Sequence, residues 1–303
     1  MARAGTRVEI DGRDLTLSNL DKVLYPETGF TKGQVVEYYA AVAAVMVAHV
    51  GDRGVTLRRF PDGVEGQSFF EKRCPSHRPE WIPTAPGPGD RGGPIRYCVL
   101  DSRPALVWAA NLAALEIHAP MARAGDVDSP EQVVFDLDPG AGVAMRTCAE
   151  VALWVRDVLD GIGLRCLAKT SGSKGLQVYV PLNAGALHTH EHASGFALAV
   201  GQVLERNHPE LIVTNMKKER RGGKVLIDWS QNSRHKTTIA PYSLRARPRP
   251  TVSTPLTWDE VEAGAGGAPL SFEAGAVLQR IDERGDLFGE AVTVRQELPA
   301  PPP

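Results

Sequence analysis

The feature that most constrains this fold is an apolar run that ends in two alternating acids. Val133-Val134-Phe135 predicts a buried strand, which enters Asp136-Leu137-Asp138 and is stopped by Pro139-Gly140. Alternate residues of a strand point to the same side, so both carboxylates leave one face of a sheet while Leu137 points into the core. The chain therefore has to present two neighbouring carboxylates on one sheet face.

Two carboxylates this close are costly unless they share a cation, because each charge raises the pKa of the other. Mg²⁺ and Mn²⁺ prefer oxygen ligands of this kind. Asp228 is the predicted third ligand, since an acid is unexpected at the end of the apolar strand Val225-Leu226-Ile227. Two ions on Asp136, Asp138 and Asp228 would activate a 3′-hydroxyl and neutralise a triphosphate. The alternative is an acid pair that caps an Asp-Pro-Gly turn.

A run of small residues between two predicted strands suits phosphate binding. Thr170-Ser171-Gly172-Ser173-Lys174-Gly175 offers close backbone N–H groups, hydroxyls such as that of Ser171, and the charge of Lys174. No helix follows directly and the glycine spacing is wrong, so this is not a Walker A loop, and a plain hairpin is the alternative. His118, close in sequence to Asp136, is either a further triphosphate contact or an ordinary core histidine.

Basic and aromatic residues indicate nucleic acid. The formal net charge is −2, so attraction to phosphate has to be local. The segment 217–249 holds ten Lys and Arg residues, either a nucleic-acid footprint or a solvated loop. Arg58-Arg59-Phe60 and Phe69-Phe70 combine cations with aromatic rings, as base stacking beside phosphates requires, although phenylalanine in a strand is more often core.

Helices and strands alternate without the rhythm of a parallel βαβ fold, which predicts an α+β class. Helices are predicted over 31–49, 104–116, 144–162, 190–207 and 273–286, and strands over 55–60, 68–72, 133–135, 164–169, 176–181, 224–229 and 237–240. Residues 74–95 are predicted to form a long surface loop. We expect one catalytic domain over residues 1–290, with an N-terminal DNA-end-binding segment, and a disordered proline-rich tail over 291–303.

The remaining motifs indicate a reducing compartment. The four cysteines form no C-x-x-C pair, and neither a signal peptide nor an apolar run near eighteen residues is evident, which predicts a cytoplasmic, nucleoid-associated protein without a membrane partner. Cys74 and His77 have a metal-like spacing, but no second pair accompanies them. His188, His190 and His192 are expected to lie in an exposed loop that leads into a helix rather than to bind metal.

Taken together, these residues resemble the polymerase domain of bacterial non-homologous end-joining ligases, in the archaeo-eukaryotic primase superfamily. The resemblance runs from 19 to about 286. Its most specific stretches are 134–140, 170–176, 228–232 and 236–245. It implies a primase-like core with mixed or antiparallel sheets flanked by helices, and manganese or magnesium, as two ions, on Asp136, Asp138 and Asp228.

The resemblance also implies roles for individual residues. His118, Ser171, Lys174, Arg245 and, less securely, Arg59 would contact the incoming triphosphate. Asn19, Lys22 and Lys32 match a pocket for the 5′-phosphate of a broken or gapped strand. The template and DNA-end contacts would be Phe69, Phe70 and Arg221.

The function implied is addition of nucleotides, preferably ribonucleotides, to DNA 3′ ends in gap filling or end joining. Two alternatives are a non-catalytic module that recognises DNA ends and a metal-dependent phosphodiesterase. No ligase or phosphoesterase module accompanies these motifs, so a stand-alone relative and an excised domain are both open. Ku and a DNA ligase are accordingly weaker partner predictions than gapped DNA and nucleoside triphosphates.

Overall fold

A computed structural model describes residues 5–89 and 93–300 of the 303-residue chain. The strands in this part are β1 (Thr6–Ile10), β2 (Arg13–Leu17), β3 (Val23–Tyr25), β4 (Phe30–Thr31), β5 (Thr56–Arg59), β6 (Phe69–Glu71), β7 (Thr84–Pro88), β8 (Pro94–Cys98), β9 (Ala114–Ala119), β10 (Ala122–Arg123), β11 (Asp126–Pro130), β12 (Gln132–Pro139), β13 (Leu167–Thr170), β14 (Leu176–Pro181), β15 (Ile212–Val213), β16 (Val225–Asp228), β17 (Thr238–Ile239) and β18 (Pro255–Leu256). The α-helices are α1 (Lys32–Val50), α2 (Arg103–Asn111), α3 (Met145–Gly161), α4 (His190–Asn207), α5 (Trp258–Ala265), α6 (Ala274–Arg284) and α7 (Glu290–Thr293).

The chain divides into two compact units, where the sequence predicts one domain over residues 1–290. Unit 1 contains residues 1–120, 239–253 and 272–286, and unit 2 contains 121–238, 254–271 and 287–303. The predicted DNA-end-binding segment at the N-terminus is thus part of unit 1.

Unit 1 is built around helix α1. Thr31 caps it as the sequence predicts: its hydroxyl accepts from the Gln34 backbone N–H, and the Gln34 side chain accepts from the Thr31 N–H. Tyr38 and Tyr39 are buried on this helix, and their hydroxyls donate to the carbonyl oxygens of Tyr242 (2.8 Å) and Leu115 (2.6 Å). By length and composition α1 could cross a membrane, but the same test is passed by the core helix of a soluble protein, and half of the apolar stretch is buried here.

A four-stranded sheet and three hairpins complete the β-structure described for unit 1. The sheet has the order β17-β9-β5-β6, in which β5 is antiparallel to both β9 and β6. The hairpins are β1-β2, β3-β4 and β7-β8.

Unit 2 is built on a six-stranded sheet with the order β15-β16-β12-β14-β13-β18. All its neighbours are antiparallel except β15 and β16. Strand β12 is central, and its Val133, Val134, Phe135 and Leu137 are fully buried. The α+β class predicted from the sequence is confirmed, with mixed sheets accompanied by helices.

The prediction of a long loop over 74–95 is wrong. Residues 84–88 and 94–98 form the β7-β8 hairpin, and residues 90–92 lie outside the described part. Cys74 and Cys98 form a disulfide, which also contradicts the expectation of reduced cysteines throughout and removes Cys74 as a zinc ligand beside His77. The Cys74 N–H donates to the Arg96 carbonyl at 2.8 Å, and this long-range pairing brings the two cysteines together.

The predicted helix over 104–116 ends early, at Asn111. Ala113 has φ +57°, a left-handed conformation that reverses the chain, and β9 begins at the next residue. His118 consequently lies on a strand and not beyond a helix. Its side chain shares one face of β9 with that of Glu116.

Two further predictions on unit 2 need correction. His188 and His190 are buried rather than exposed, because His190 hydrogen-bonds the Asn232 carbonyl (2.7 Å) and His188 Nε2 accepts from the Leu298 N–H. The tail predicted to be disordered from 291 is held as far as Leu298, since the Gln296 amide donates to the carbonyl of Pro181. The last three residues of that tail, 301–303, lie outside the described part.

Candidate active site

Four polar residues form one row across the sheet of unit 2. Lys169 on β13 pairs with Gln177 on β14, Gln177 pairs with Asp136 on β12, and Asp136 pairs with Asp228 on β16. Cross-strand partners project from the same face of a sheet, so the row is continuous. Asp138 lies two residues beyond Asp136 and so shares its face of β12. The sequence prediction that these three aspartates approach one another is consistent with this register.

The carboxylates of Asp138 and Asp228 repel that of Asp136. Burial, and then the charges of Asp138 and Asp228, raise the pKa of Asp136 to about 7, while a hydrogen bond from Gln177 and the charge of Lys169 oppose them. A divalent cation bound to these carboxylates would remove the repulsion. The residues therefore fit such a cation.

Asp228 is held by its own turn. Its Oδ1 accepts from the N–H (3.0 Å) and hydroxyl (2.6 Å) of Ser230, and its Oδ2 accepts from the Gln231 amide (3.0 Å). Across residues 5–89 and 93–300, no three His, Cys, Asp or Glu side chains are grouped closely enough to hold one metal ion.

The Thr170–Gly175 loop lies against the same part of β12. A Cβ on Gly175 would come within 2.2 Å of the Leu137 carbonyl oxygen, so only glycine allows this approach. The Ser171 hydroxyl accepts from the N–H groups of Ser173 (3.3 Å) and Gly175 (3.2 Å), which fixes the turn. Lys174 is exposed at its tip.

A cavity of about 560 Å³ lies beside this loop in unit 2. Its lining joins the end of β12 to the loop and to a later segment: Pro139, Gly140, Ala141, Gly142, Val143, Met145, Ser173, Lys174, Pro269, Leu270 and Ser271. Lys174 is the one charged side chain among the described lining residues. The cavity therefore has a positive charge, that of Lys174, with which to bind an anion, and it adjoins the residues that directly follow the two acids of β12.

Arg221, a predicted template contact, follows a short 3₁₀ helix in unit 2. Its guanidinium donates to the Met216 carbonyl at 2.5 Å, and the neighbouring Lys217, Lys218 and Arg220 are exposed. Gly140 admits this segment, because a Cβ there would meet the Arg221 carbonyl oxygen at 1.8 Å. The basic segment is thereby attached next to the end of β12.

His118 and Arg245, two predicted triphosphate contacts, meet on one carboxylate in unit 1. His118 Nε2 lies 3.0 Å from Glu116 Oε2, and Arg245 Nε lies 3.3 Å from Glu116 Oε1. Burial lowers the pKa of His118, and the carboxylate opposes that shift. Arg58 also reaches Glu116, at 3.4 Å.

Two cation–aromatic pairs cross strands β5 and β6. Arg58 pairs with Phe70 and Arg59 with Phe69, and each guanidinium carbon lies 5.2 Å from the ring centroid of its partner. The rings are 45% (Phe69) and 57% (Phe70) exposed, as expected of a stacking surface and not of a core. Arg59 is bonded to Glu71 at 3.1 Å, so Arg58 rather than Arg59 lies with His118.

Asn19, Lys22 and Lys32 come together at the start of α1. The Lys22 N–H donates to the Asn19 carbonyl (3.0 Å), and the Lys32 N–H donates to the Lys22 carbonyl (2.8 Å). The Lys32 ammonium is buried and donates to the Ser18 carbonyl at 2.6 Å. Burial, with the charges of Lys22 and Arg59, lowers the pKa of Lys32 to about 8. An anion bound here would offset the burial of the Lys32 ammonium and its repulsion by Lys22 and Arg59. The N-terminus of the 19-residue helix α1 also favours an anion.

Three residues near these sites were not singled out from the sequence as site residues. Lys169 is fully buried, and a lysine inside the apolar run of a strand is a signal that could have identified it. Gln177 and Glu116 give no such signal, because their importance depends on partners far along the chain.

The chain's class is that of the primase-polymerases, which are nucleotidyltransferases. A model of the LigD primase-polymerase domain matches residues 31–288, and the chain belongs to that family. Nucleotidyltransferases of this kind normally need divalent metal ions.

Two individual relatives are LigD proteins, in agreement with the family model. The multifunctional non-homologous end joining protein LigD of Mycolicibacterium smegmatis is 45% identical over 274 residues, 90% of this chain and 35% of the relative. The bifunctional LigD of Bacillus subtilis is 30% identical over 94% of the chain and 45% of its own length. The chain thus spans a third to under half of these relatives.

A solved structure is similar over nearly the whole chain. The polymerase domain from Mycobacterium tuberculosis ligase D, in complex with DNA, matches with a TM-score of 0.86 and 44% identity. The match covers 93% of this chain and 99% of the other.

Proposed function

We propose that this chain adds nucleotides to the 3′ ends of DNA at gaps and breaks, and that it binds the downstream 5′-phosphate while doing so. The observation that carries the proposal is the carboxylate row centred on Asp136, where Asp228 pairs with Asp136 across the sheet and Asp138 shares its face of β12. The mutual repulsion of these carboxylates, which raises the pKa of Asp136, supports a site for a cation. Family membership supports the reaction class, and the M. tuberculosis relative, solved with DNA, supports the substrate.

In unit 2, Asp136, Asp138 and Asp228 would hold two Mn²⁺ or Mg²⁺ ions. Bound ions would neutralise developing charge and lower the pKa of the attacking 3′-hydroxyl. Lys174, on its glycine-fixed loop, would bind triphosphate oxygens. The Ser171 hydroxyl accepts from the Ser173 and Gly175 N–H groups, which holds the loop, and would donate its own proton to the triphosphate.

In unit 1, the exposed rings of Phe69 and Phe70 would stack on bases, and His118 and Arg245 would bind phosphate oxygens of the nucleotide. The basic residues around Arg221 in unit 2 would contact the DNA backbone. We further propose a preference for ribonucleotides, action on the nucleoid in the cytoplasm, and cooperation with Ku and a DNA ligase, as the similarity to end-joining proteins implies.

The test is extension of a primer on gapped DNA, with and without a downstream 5′-phosphate, in Mn²⁺ or Mg²⁺ and with ribo- or deoxyribonucleotides. Phosphate-stimulated incorporation that favours ribonucleotides is expected. Tight phosphate-dependent binding without incorporation in either metal would instead identify an end-recognition module. Release of mononucleotides without added triphosphates would identify a phosphodiesterase.

The 5′-phosphate pocket yields a first prediction. Lys32→Met keeps the length of the buried stem but removes the ammonium, so stimulation by the 5′-phosphate should fall about tenfold or more, as expected for a lost charge-assisted hydrogen bond. Lys22→Met should have a smaller effect, because Lys22 is exposed and bonded to Asp62 at 2.8 Å. Gapped DNA without the phosphate is the control, and equal losses on both substrates would contradict the assignment.

The same lysine predicts a pH dependence. Its folded pKa of about 8 lies below the ordinary 10.5, so the ammonium form is lost as pH rises through 8. Affinity for 5′-phosphorylated gaps should therefore be nearly constant between about pH 6.5 and 7.5, above the second pKa of the phosphate (about 6), and fall about tenfold per unit well above 8. Fluorescence anisotropy at fixed salt measures this. A decline of the same size on unphosphorylated gaps would show that another group is responsible.

A further inference from the structure

Glu116 is the most buried acid in unit 1 for which the function above has no role. Its side chain is 1% exposed and lies on β9, two residues before His118 and directly opposite Arg58 of β5. Acids are almost never buried this deeply unless they are paired. The partners of Glu116 therefore indicate its purpose.

Each oxygen of the Glu116 carboxylate holds a different part of unit 1. Oε2 lies 3.0 Å from His118 Nε2 and 3.4 Å from Arg58 Nη1. Oε1 accepts from the Ala246 N–H at 3.1 Å and lies 3.3 Å from Arg245 Nε. One carboxylate thus fixes β9, β5 and the segment after Ser243 against one another.

The cluster keeps an excess of positive charge. Burial alone would raise the pKa of Glu116, but the His118 hydrogen bond and the Arg245 charge outweigh it and lower the pKa to about 2, so the carboxylate is ionised. One negative charge then faces the guanidinium groups of Arg58 and Arg245. Arg58 Nε is buried and has no hydrogen-bond acceptor within the described residues. An anion is the complement that this cluster lacks.

The backbone around the cluster is fixed independently of Glu116. The Ser243 hydroxyl accepts from the Ile117 N–H (2.9 Å), and the Tyr39 hydroxyl donates to the Leu115 carbonyl (2.6 Å). The Tyr25 hydroxyl donates to the Arg245 carbonyl (3.0 Å). The main chain of β9 and of Arg245 is therefore anchored by other groups as well, and beyond its bond to the Ala246 N–H the carboxylate acts on the side chains of His118, Arg245 and Arg58.

The contact with His118 also selects a ring nitrogen. When Nε2–H donates to the carboxylate, Nδ1 is the nitrogen that remains for a substrate oxygen, and it donates to that oxygen only when the ring is protonated, the form that the Glu116 carboxylate favours. The ring stands edge to face with Phe70, with centroids 5.6 Å apart, so its plane is fixed from a second direction. This is the arrangement by which a carboxylate orients a histidine that contacts a substrate.

We propose that Glu116 is a positioning residue that sets His118 and Arg245 for the triphosphate of the incoming nucleotide. The inference rests on the proposed polymerase function and deepens it, because it explains how two anion-binding side chains are aligned by a buried anion. It also adds Arg58 to the phosphate-binding set in place of Arg59.

A role for Glu116 as a mere counter-charge predicts the opposite change in the KM for nucleotide. If Glu116 only counterbalanced the arginines, Glu116→Gln would remove a competing negative charge and lower the KM for nucleotide. If it positions them, the KM should rise about tenfold or more with a smaller change in kcat, despite the more positive cluster. Glu116→Asp keeps the charge but shortens the reach, and it should raise the KM as well.

The experiment measures ribonucleotide incorporation on gapped DNA for Glu116→Gln and Glu116→Asp, with exposed Glu9→Gln of β1 as the matched control. Thermal melts report folding, and Glu116→Asp keeps the test open if Glu116→Gln unfolds. The double variant Glu116→Gln/His118→Asn should lose less than the two single losses combined, because the part of the Glu116 effect that acts through His118 is already absent in His118→Asn. A normal or lowered KM in both single variants, or fully additive effects, would overturn the inference.

Two further readouts separate this inference from the proposed function. Affinity for fluorescently labelled ATP without DNA should fall in both Glu116 variants, even if the wild type incorporated nothing. Arg58, Arg245 and Glu116 are the charged groups that face His118, and only Glu116 favours its protonation. The pH midpoint of ATP binding should therefore move to lower pH in Glu116→Gln, and an unmoved midpoint would count against positioning of His118.

Discussion

Asp136→Asn is expected to reduce nucleotide incorporation to about one thousandth or less, which corresponds to the loss of several kcal/mol of metal-borne charge stabilisation. Asp136 is the central member of the polar row, paired with Gln177 on one side and Asp228 on the other. No other carboxylate on β12 occupies that place. Primer extension with Mn²⁺ at saturating nucleotide measures the effect, and activity within tenfold of wild type would refute the assigned role.

The same variant should fold at least as well as the wild type. The folded pKa of Asp136, about 7, lies above the ordinary value of 3.8, so the metal-free folded state binds more protons between these values. Stability should therefore fall as pH rises from about 4 through 7, and Asp136→Asn should abolish that dependence. Urea melts in chelator at several pH values test this. Binding to 5′-phosphorylated DNA, for which we propose the pocket of Asn19, Lys22 and Lys32 and the basic residues around Arg221, should be unchanged.

Asn232→Ala is expected to destabilise the protein by about 2–5 kcal/mol, because it leaves the buried backbone N–H and carbonyl of Val134 on β12 without their hydrogen-bond partners. The Asn232 side chain accepts from the Val134 N–H (2.7 Å) and donates to the Val134 carbonyl (2.8 Å). Strand β16 pairs with β12 only from Asp136 onward, so this amide substitutes for a neighbouring strand at Val134. It also donates to the Trp229 carbonyl at 2.9 Å, which closes the turn after Asp228.

Thermal or urea unfolding measures this loss. Asn207→Ala, at the exposed end of α4, removes the same group and should change the stability by less than about 0.5 kcal/mol. Because Asn232 helps to hold the turn after Asp228, incorporation by Asn232→Ala should fall even at temperatures where the variant is folded. A variant of normal stability would show that the amide has no supporting role.

The sequence was most informative where the chemistry is local. The alternation of Asp136 and Asp138, the cap at Thr31 and the strand over 176–181 all depend on residues close together in the chain, and the structure has each of them. The helix over 190–207 likewise has its predicted bounds. Propensity and periodicity are sufficient signals for such features.

Features that depend on distant partners were missed or misplaced. Nothing in the Ala-Leu-Glu-Ile-His run of β9 reveals that Glu116 meets Arg245, 129 positions later. The apolar residues there continued the pattern of the preceding helix, and the left-handed Ala113 that breaks it has no sequence signature. Cys74 and Cys98 are joined because the Cys74 N–H pairs with the Arg96 carbonyl of β8, and a proline- and glycine-rich composition concealed that strand and its hairpin.

The interleaved chain path constrains when this protein can acquire its structure during synthesis. Two side chains of the early helix α1 hydrogen-bond with residues that are synthesised much later. The Tyr38 hydroxyl donates to the Tyr242 carbonyl, and the His49 ring lies 2.9 Å from the Asp286 carboxylate. Unit 2 likewise includes two late segments, residues 254–271 and 287–303. A nascent chain that has emerged only to residue 238 therefore lacks part of the core of each unit, and it exposes apolar surface that later segments cover. Folding should consequently be completed only after nearly the whole chain has left the ribosome, and chains terminated before α6 should be rapidly degraded.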